Sequence, residues 1–147
     1  MFLYIEPGTT FDLDIFMAWE PGPSGLITLT PIYNYLSDLG YKPQHEAIEI
    51  EGWAVQFLPA VHPLVAEALN ESGLVTIEDA QTRVFGQEYL MAICLDAGRP
   101  KDVARLVQFV QEGSPDETRL MDILSRHGLK TKFADFKRKF FPEAHNQ

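Results

Sequence analysis

The sequence predicts an α+β fold: a small mixed β-sheet followed by a helical C-terminal half. Three observations support this. Short runs of alternating apolar and polar residues fill the region before Phe85. From Gln87 onward the apolar residues repeat with a helical period. Pro and Gly punctuate the chain at the places where these elements must end. The chain has 147 residues, which suits one structural unit, read as a sheet-bearing part over 1–85 with a helical half over 86–147 packed on it.

The elements follow in order. Phe2 to Ile5 reads as a short strand, and Glu6 to Thr10 as a turn. Phe11 to Met17 is a second strand, with Phe11, Leu13, Ile15 and Met17 on one face and Asp12, Asp14 and Phe16 on the other. A loop rich in Pro and Gly covers Glu20 to Gly25. Thr30 and Pro31 open a helix as N-cap and first helical residue, and Gly40 ends it. Glu46–Ile50 and Trp53–Leu58 form a hairpin around Glu51-Gly52. Pro63 to Asn70 is a short helix; Leu74–Ile77 and Thr82–Phe85 are further strands.

The second half reads as four helices. Gln87 to Ala97 is a buried one, and Pro100 starts the next, running to about Gln111. Ser114-Pro115-Asp116-Glu117 has the spacing of a capping box, with Ser114 as N-cap. Gly128 closes that helix. Phe133, Phe136 and Phe140 mark the stripe of a last helix, stopped by Pro142.

Composition narrows the functional classes. One cysteine, Cys94, excludes an internal disulfide, and its apolar surroundings in sequence make it a core residue. No apolar run reaches the length of a membrane span, and the N-terminal residues lack a signal-peptide pattern, so the expected location is the cytoplasm without membrane attachment. Residues 1–125 carry 6 Lys/Arg and 19 Asp/Glu; residues 126–147 carry 6 and 2. The acidic body repels nucleic acid at long range, while the basic end is either the solvated face of a helix or a contact for a polyanion.

Asp12-Leu13-Asp14 is the sharpest chemical feature. Carboxylates at i and i+2 of a strand project from the same face, roughly 7 Å apart along the chain. Such a pair suits Mg²⁺, which takes oxygen ligands and is typically held by one or two carboxylates plus substrate phosphates. The competing reading is a solvated sheet face. The four histidines have no spacing for zinc, and no Gly-rich phosphate loop is present.

The residues Thr9-Thr10-Phe11-Asp12-Leu13-Asp14-Ile15-Phe16 resemble the T-x-D-hydrophobic-D strand of the minimal nucleotidyltransferases in the DNA polymerase β-like superfamily. The likeness continues through Ile50 to Pro59 and Glu88 to Ala92. It reaches Gly98-Arg99-Pro100-Lys101-Asp102-Val103-Ala104-Arg105-Leu106, which resembles a helix start of the AbiEii-like branch, home to toxins of toxin–antitoxin systems. It spans Ile5 to about Phe136.

The resemblance implies a nucleotidyltransferase-like palm that passes a nucleotide from a nucleoside triphosphate to an RNA, protein or small-molecule hydroxyl. It implies Mg²⁺ on Asp12 and Asp14, which with Asp102 form the catalytic set. Thr10, Lys101 and Arg105 would contact the triphosphate, and an antitoxin would be a partner. For Asp102 a favourable charge at a helix N-terminus is a complete alternative, and for Lys101 and Arg105 plain solvent exposure is one.

Three departures stand against this. The family's Gly-Gly/Ser segment precedes the acidic strand, and the sequence in hand begins after that place. The Arg that many relatives carry before the Thr falls near Gly8. The third carboxylate is replaced by Gln56, with Glu49 and Glu51 as candidates nearby. The alternative is therefore a catalytically degenerate binding module, whose apolar opening would favour a homodimer.

Overall fold

A computed structural model describes residue 4 and residues 12–18, 23–25 and 28–142. Its architecture is α+β, with a small mixed sheet early in the chain and a helical C-terminal half. The chain divides into two compact units, one of Gly8–Leu69 and one that runs from Asn70 onward and includes Tyr4.

The first unit holds a four-stranded sheet in the order β1-β4-β3-β2. Its strands are β1 (Asp12–Met17), β2 (Pro43–Gln44), β3 (Ala47–Ile50) and β4 (Trp53–Pro59). β4 runs parallel to β1 and antiparallel to β3, which in turn is antiparallel to β2. The β3–β4 connection is a two-residue turn in which Glu51 and Gly52 have φ of +50° and +85°. Positive φ at both central residues defines the type I′ turn, whose twist matches that of the flanking strands. The Tyr41 hydroxyl donates to the Glu51 carboxylate at 2.8 Å and braces the turn.

Helix α1 (Thr30–Asp38) contributes Leu36 to a core with Ile48 and Val55; Ile32, Tyr33, Tyr41, Ile50 and Phe57 pack around it. The Tyr33 and Phe57 rings meet edge to face, their centroids 6.3 Å apart. The N-cap of α1 is Leu29 rather than Thr30, and Thr28 accepts the Thr30 N–H through Oγ1. The far end closes as expected at Gly40, which has φ of +95°. There the Gly40 N–H donates to Ser37 O and the Tyr41 N–H to Leu36 O, the paired bonds of a Schellman cap. Helix α2 (Pro63–Asn70) buries Leu64 and Ala68.

The second unit opens with a two-stranded antiparallel hairpin, β5 (Gly73–Ile77) and β6 (Ala80–Val84). It belongs with the helices that follow rather than with the four-stranded sheet. Four helices complete the unit: α3 (Gln87–Ala97), α4 (Pro100–Glu112), α5 (Glu117–Arg126) and α6 (Lys130–Phe140). α4 and α5 both pack on α3, and α6 packs on α5. α3 is central, so it is buried on most sides through Gln87, Glu88, Tyr89, Met91, Ala92, Cys94 and Leu95.

α5 starts two residues later than the capping-box spacing suggested. Asp116, not Ser114, is its N-cap, and Asp116 Oδ1 accepts the Arg119 N–H at 3.0 Å. An acceptor outside the helix decides this start, because the buried Glu88 accepts the Asp116 N–H at 2.8 Å and fixes the loop on the first turn of α3. Gly128 ends α5 with φ of +69°, and the Leu129 N–H donates to Leu124 O.

β2 was not foreseen. Of the expected strand Phe2 to Ile5, only Tyr4 is described; it lies in a turn, and its hydroxyl donates to Phe85 O at 3.1 Å. The turn Glu6 to Thr10 and Phe11 lie outside the described residues.

Candidate functional site

Strand alternation and register define the two faces of the four-stranded sheet. Leu13, Ile15 and Met17 share a face with Val55, Phe57 and Ile48, the face that carries the α1 core. Asp12 and Asp14 therefore project from the opposite face, and both are exposed. The spacing in the sequence and the pleat of the strand agree on this point.

The neighbours of the two acids follow from the register. Asp12 pairs with Ala54 on β4, and Ala54 pairs with Glu49 on β3. Glu49 thus stands on the acid-bearing face two strands from Asp12, roughly 10 Å across the sheet, with only an alanine methyl between them. Asp14 pairs with Gln56, a half-buried neutral amide. Glu51 is drawn into the β3–β4 turn by Tyr41. Of the two acids considered for a third ligand position, Glu49 is the one on the right face.

An open hollow of about 680 Å³ lies over this face. Asp12, Ala54 and Gln56 line one part of it, and Ala47, Gln44, His45 and Glu46 line the other. His45 takes φ of +58° at the β2–β3 turn. Among the described residues, no three His, Cys, Asp or Glu side chains converge as a closed metal cage. What β1 offers on this face is two exposed carboxylates, Asp12 and Asp14.

The remaining sequence candidates lie elsewhere. Lys101, Asp102 and Arg105 are on α4, in the second unit. Lys101 is exposed and Arg105 half-buried. Asp102 is buried, at 3% exposure, and holds Arg99 in a two-pronged ion pair, Nε to Oδ2 at 2.5 Å and Nη2 to Oδ1 at 3.2 Å. It is also the acid in the first turn of α4, where negative charge offsets the helix dipole. Thr10 lies outside the described residues.

Cys94 is buried, and desolvation first, then the negative charge of Asp102, pushes its thiol from 9.0 up to about 11, against smaller opposing effects of Arg105 and Arg99. A thiol held that high is an apolar packing group and not a nucleophile.

The part played by Gln44, His45 and Ala47 was not read from the sequence. The available signal was the apolar-polar alternation of β3, which assigns Ala47 and Glu49 to one face once the type I′ turn sets the register. A comparison of the sequence with protein-family models and with curated proteins finds no match. Among the described residues, no helix is long and apolar enough to cross a membrane.

Proposed function

We propose that this chain is a metal-dependent nucleotidyltransferase-like protein that uses Asp12 and Asp14 to bind a Mg²⁺–nucleoside triphosphate on the open face of its first-unit sheet. One observation carries the reading: both carboxylates project from one exposed sheet face beside a hollow, while the opposite face carries the α1 core over β3 and β4. An exposed pair of like charges on a strand is unfavourable by itself, and a divalent cation removes the repulsion.

Asp12 and Asp14 would hold the ion, with Glu49 placed to accept a bond from its water shell. The ion would supply charge neutralisation for an in-line displacement at the α-phosphorus. In that transfer the acceptor hydroxyl oxygen bonds to the α-phosphorus and gives up its proton to water, the bridging bond to the β-phosphate breaks, and pyrophosphate leaves. The acceptor would be a hydroxyl of RNA, protein or a small molecule. Lys101, Arg105, Asp102 and Thr10 enter through the sequence resemblance alone, as does an antitoxin partner.

The test is calorimetric titration of Mg·ATP and Mg·GTP into the wild-type chain and into a variant carrying Asp12→Ala and Asp14→Ala. Both positions are exposed, so the variant is expected to keep its fold and lose nucleotide affinity. Unchanged affinity in the double variant overturns the proposal.

One observation favours a second reading. The side chain paired with Asp14 is Gln56, which cannot take a proton from an acceptor hydroxyl. A catalytically degenerate nucleotide-binding module would bind Mg·NTP through the same acids and transfer nothing to any acceptor.

A further inference from the structure

The hollow over the sheet has two amides and two alanines between its acidic ends, Asp12 and Glu46. On its face a single row of side chains crosses all four strands. Asp14 stands beside Gln56, Gln56 beside Ala47 when the β3–β4 register is continued by one residue, and Ala47 beside Gln44. The β1 end of the row is anionic and its other three side chains are uncharged; the hollow itself is lined by Asp12 at the β1 end and by Glu46 at the β2–β3 turn. From β1 to β2 the row spans roughly 14 Å at the ordinary strand spacing. That length is comparable to the reach of a nucleotide from its phosphates to the far edge of its base.

We infer that the part of this hollow over β4, β3 and β2 is a nucleobase subsite, in which the Gln44 and Gln56 amides read the base edge above a floor of Ala47 and Ala54, with Glu46 in its lining. This rests on the nucleotidyltransferase reading of the acid pair and extends it to the other end of the substrate. The chemistry of each group fits the role. Alanine methyls on adjacent strands leave the sheet surface low, so a planar ring can approach the backbone. A glutamine amide offers both donors and an acceptor, the combination that a base edge presents. The same amide makes a two-point contact to adenine through N6 and N7. The triphosphate is disfavoured at this end by the Glu46 carboxylate, and its charge would be met by the metal at the other.

Gln44 is the better probe of the two, because it sits on the outer strand β2, is exposed, and is three strands away from the acid pair. The experiment compares Mg·ATP with Mg·tripolyphosphate, which has the phosphates and lacks the base, on the wild-type chain and on Gln44→Ala. Loss of a neutral hydrogen bond at a partly solvated site is expected to weaken Mg·ATP about two- to tenfold. Mg·tripolyphosphate should bind both proteins equally. Gln56→Leu, which keeps the side-chain bulk, should also weaken Mg·ATP more than Mg·tripolyphosphate. If Mg·ATP binds Gln44→Ala and Gln56→Leu as tightly as wild type, the base subsite is refuted and the acid pair stands. If the wild-type chain binds neither probe, the acid-pair reading falls and the subsite with it.

Discussion

Replacing Asp102 by Ala separates a structural role from a catalytic one. The Asp102 side chain is 5% exposed and is clasped by Arg99, whose own side chain is 62% exposed. Because the arginine stays largely solvated, the substitution does not strand a buried cation, and the heavy cost of breaking a fully buried pair does not apply. The ion pair, discounted for screening on the arginine side, contributes about 1 kcal/mol. The loss of negative charge from the first turn of α4 adds about 0.3–1 kcal/mol. The truncated side chain leaves a small void beside the α3–α4 contact, so the total expected loss is about 1.5–2.5 kcal/mol. Urea unfolding followed by circular dichroism reads this directly. Asp102→Asn, which keeps the shape, should lose about half as much by the same measurement. Mg·NTP affinity, measured well below the unfolding transition, should be unchanged. A variant that loses nucleotide affinity while its unfolding midpoint stays at the wild-type value would refute the structural assignment and return Asp102 to the catalytic set.

Other expectations follow from equally local geometry. A Cβ on Gly113 would lie 2.5 Å from Phe109 O and 2.1 Å from the Gln87 amide, so Gly113→Ala should destabilise by about 2–3 kcal/mol in thermal unfolding. The buried Gln87 Nε2 has no partner among the described residues, so the added Gln87→Ala change should restore part of that loss. Asp116→Ala removes the side-chain cap of α5 and should cost about 1 kcal/mol, measured by urea midpoint. Because folding raises the Cys94 thiol from 9.0 to about 11, its contribution is complete below pH 9 and is lost as pH rises through 11; it amounts to about 2–3 kcal/mol. Cys94→Ala should flatten the stability profile over that window. Saturating Mg²⁺ should raise the melting temperature of the wild-type chain relative to EDTA, and Asp14→Asn should reduce that rise.

Local signals carried the reading of the sequence a long way. Gly40, Gly52 and Gly128 stand where the backbone takes positive φ, and each marks the end of an element or a tight turn. The two-residue period of Asp12 and Asp14 was sufficient to place both on one face. Errors occurred where a distant group decides the local outcome. Ser114 offered a capping box, yet the α5 start was moved to Asp116 by the Glu88 carboxylate, 28 residues earlier in the chain. Thr30 looked like a cap, yet Thr28 holds its amide. β2 is two residues long and starts with Pro43, so it has no periodicity to detect. The position of Glu49 relative to Asp12 is a product of two pairings in succession, and no window of sequence contains both.

The parallel contact between β1 and β4 has a kinetic corollary. A hairpin can assemble from neighbouring residues, but β1 must wait until the segment carrying α1, β2 and β3 has folded back before it finds its partner. Distant pairings of this kind pay their closure entropy before any reward, so they form late. A slip of one residue at that step would turn Asp12 and Asp14 to the face that carries the α1 core and bring Leu13 and Ile15, themselves partly exposed, to the other. Partial unfolding that released β1 would carry Asp12 and Asp14 away from the sheet while leaving the pairing of the β3–β4 hairpin in place.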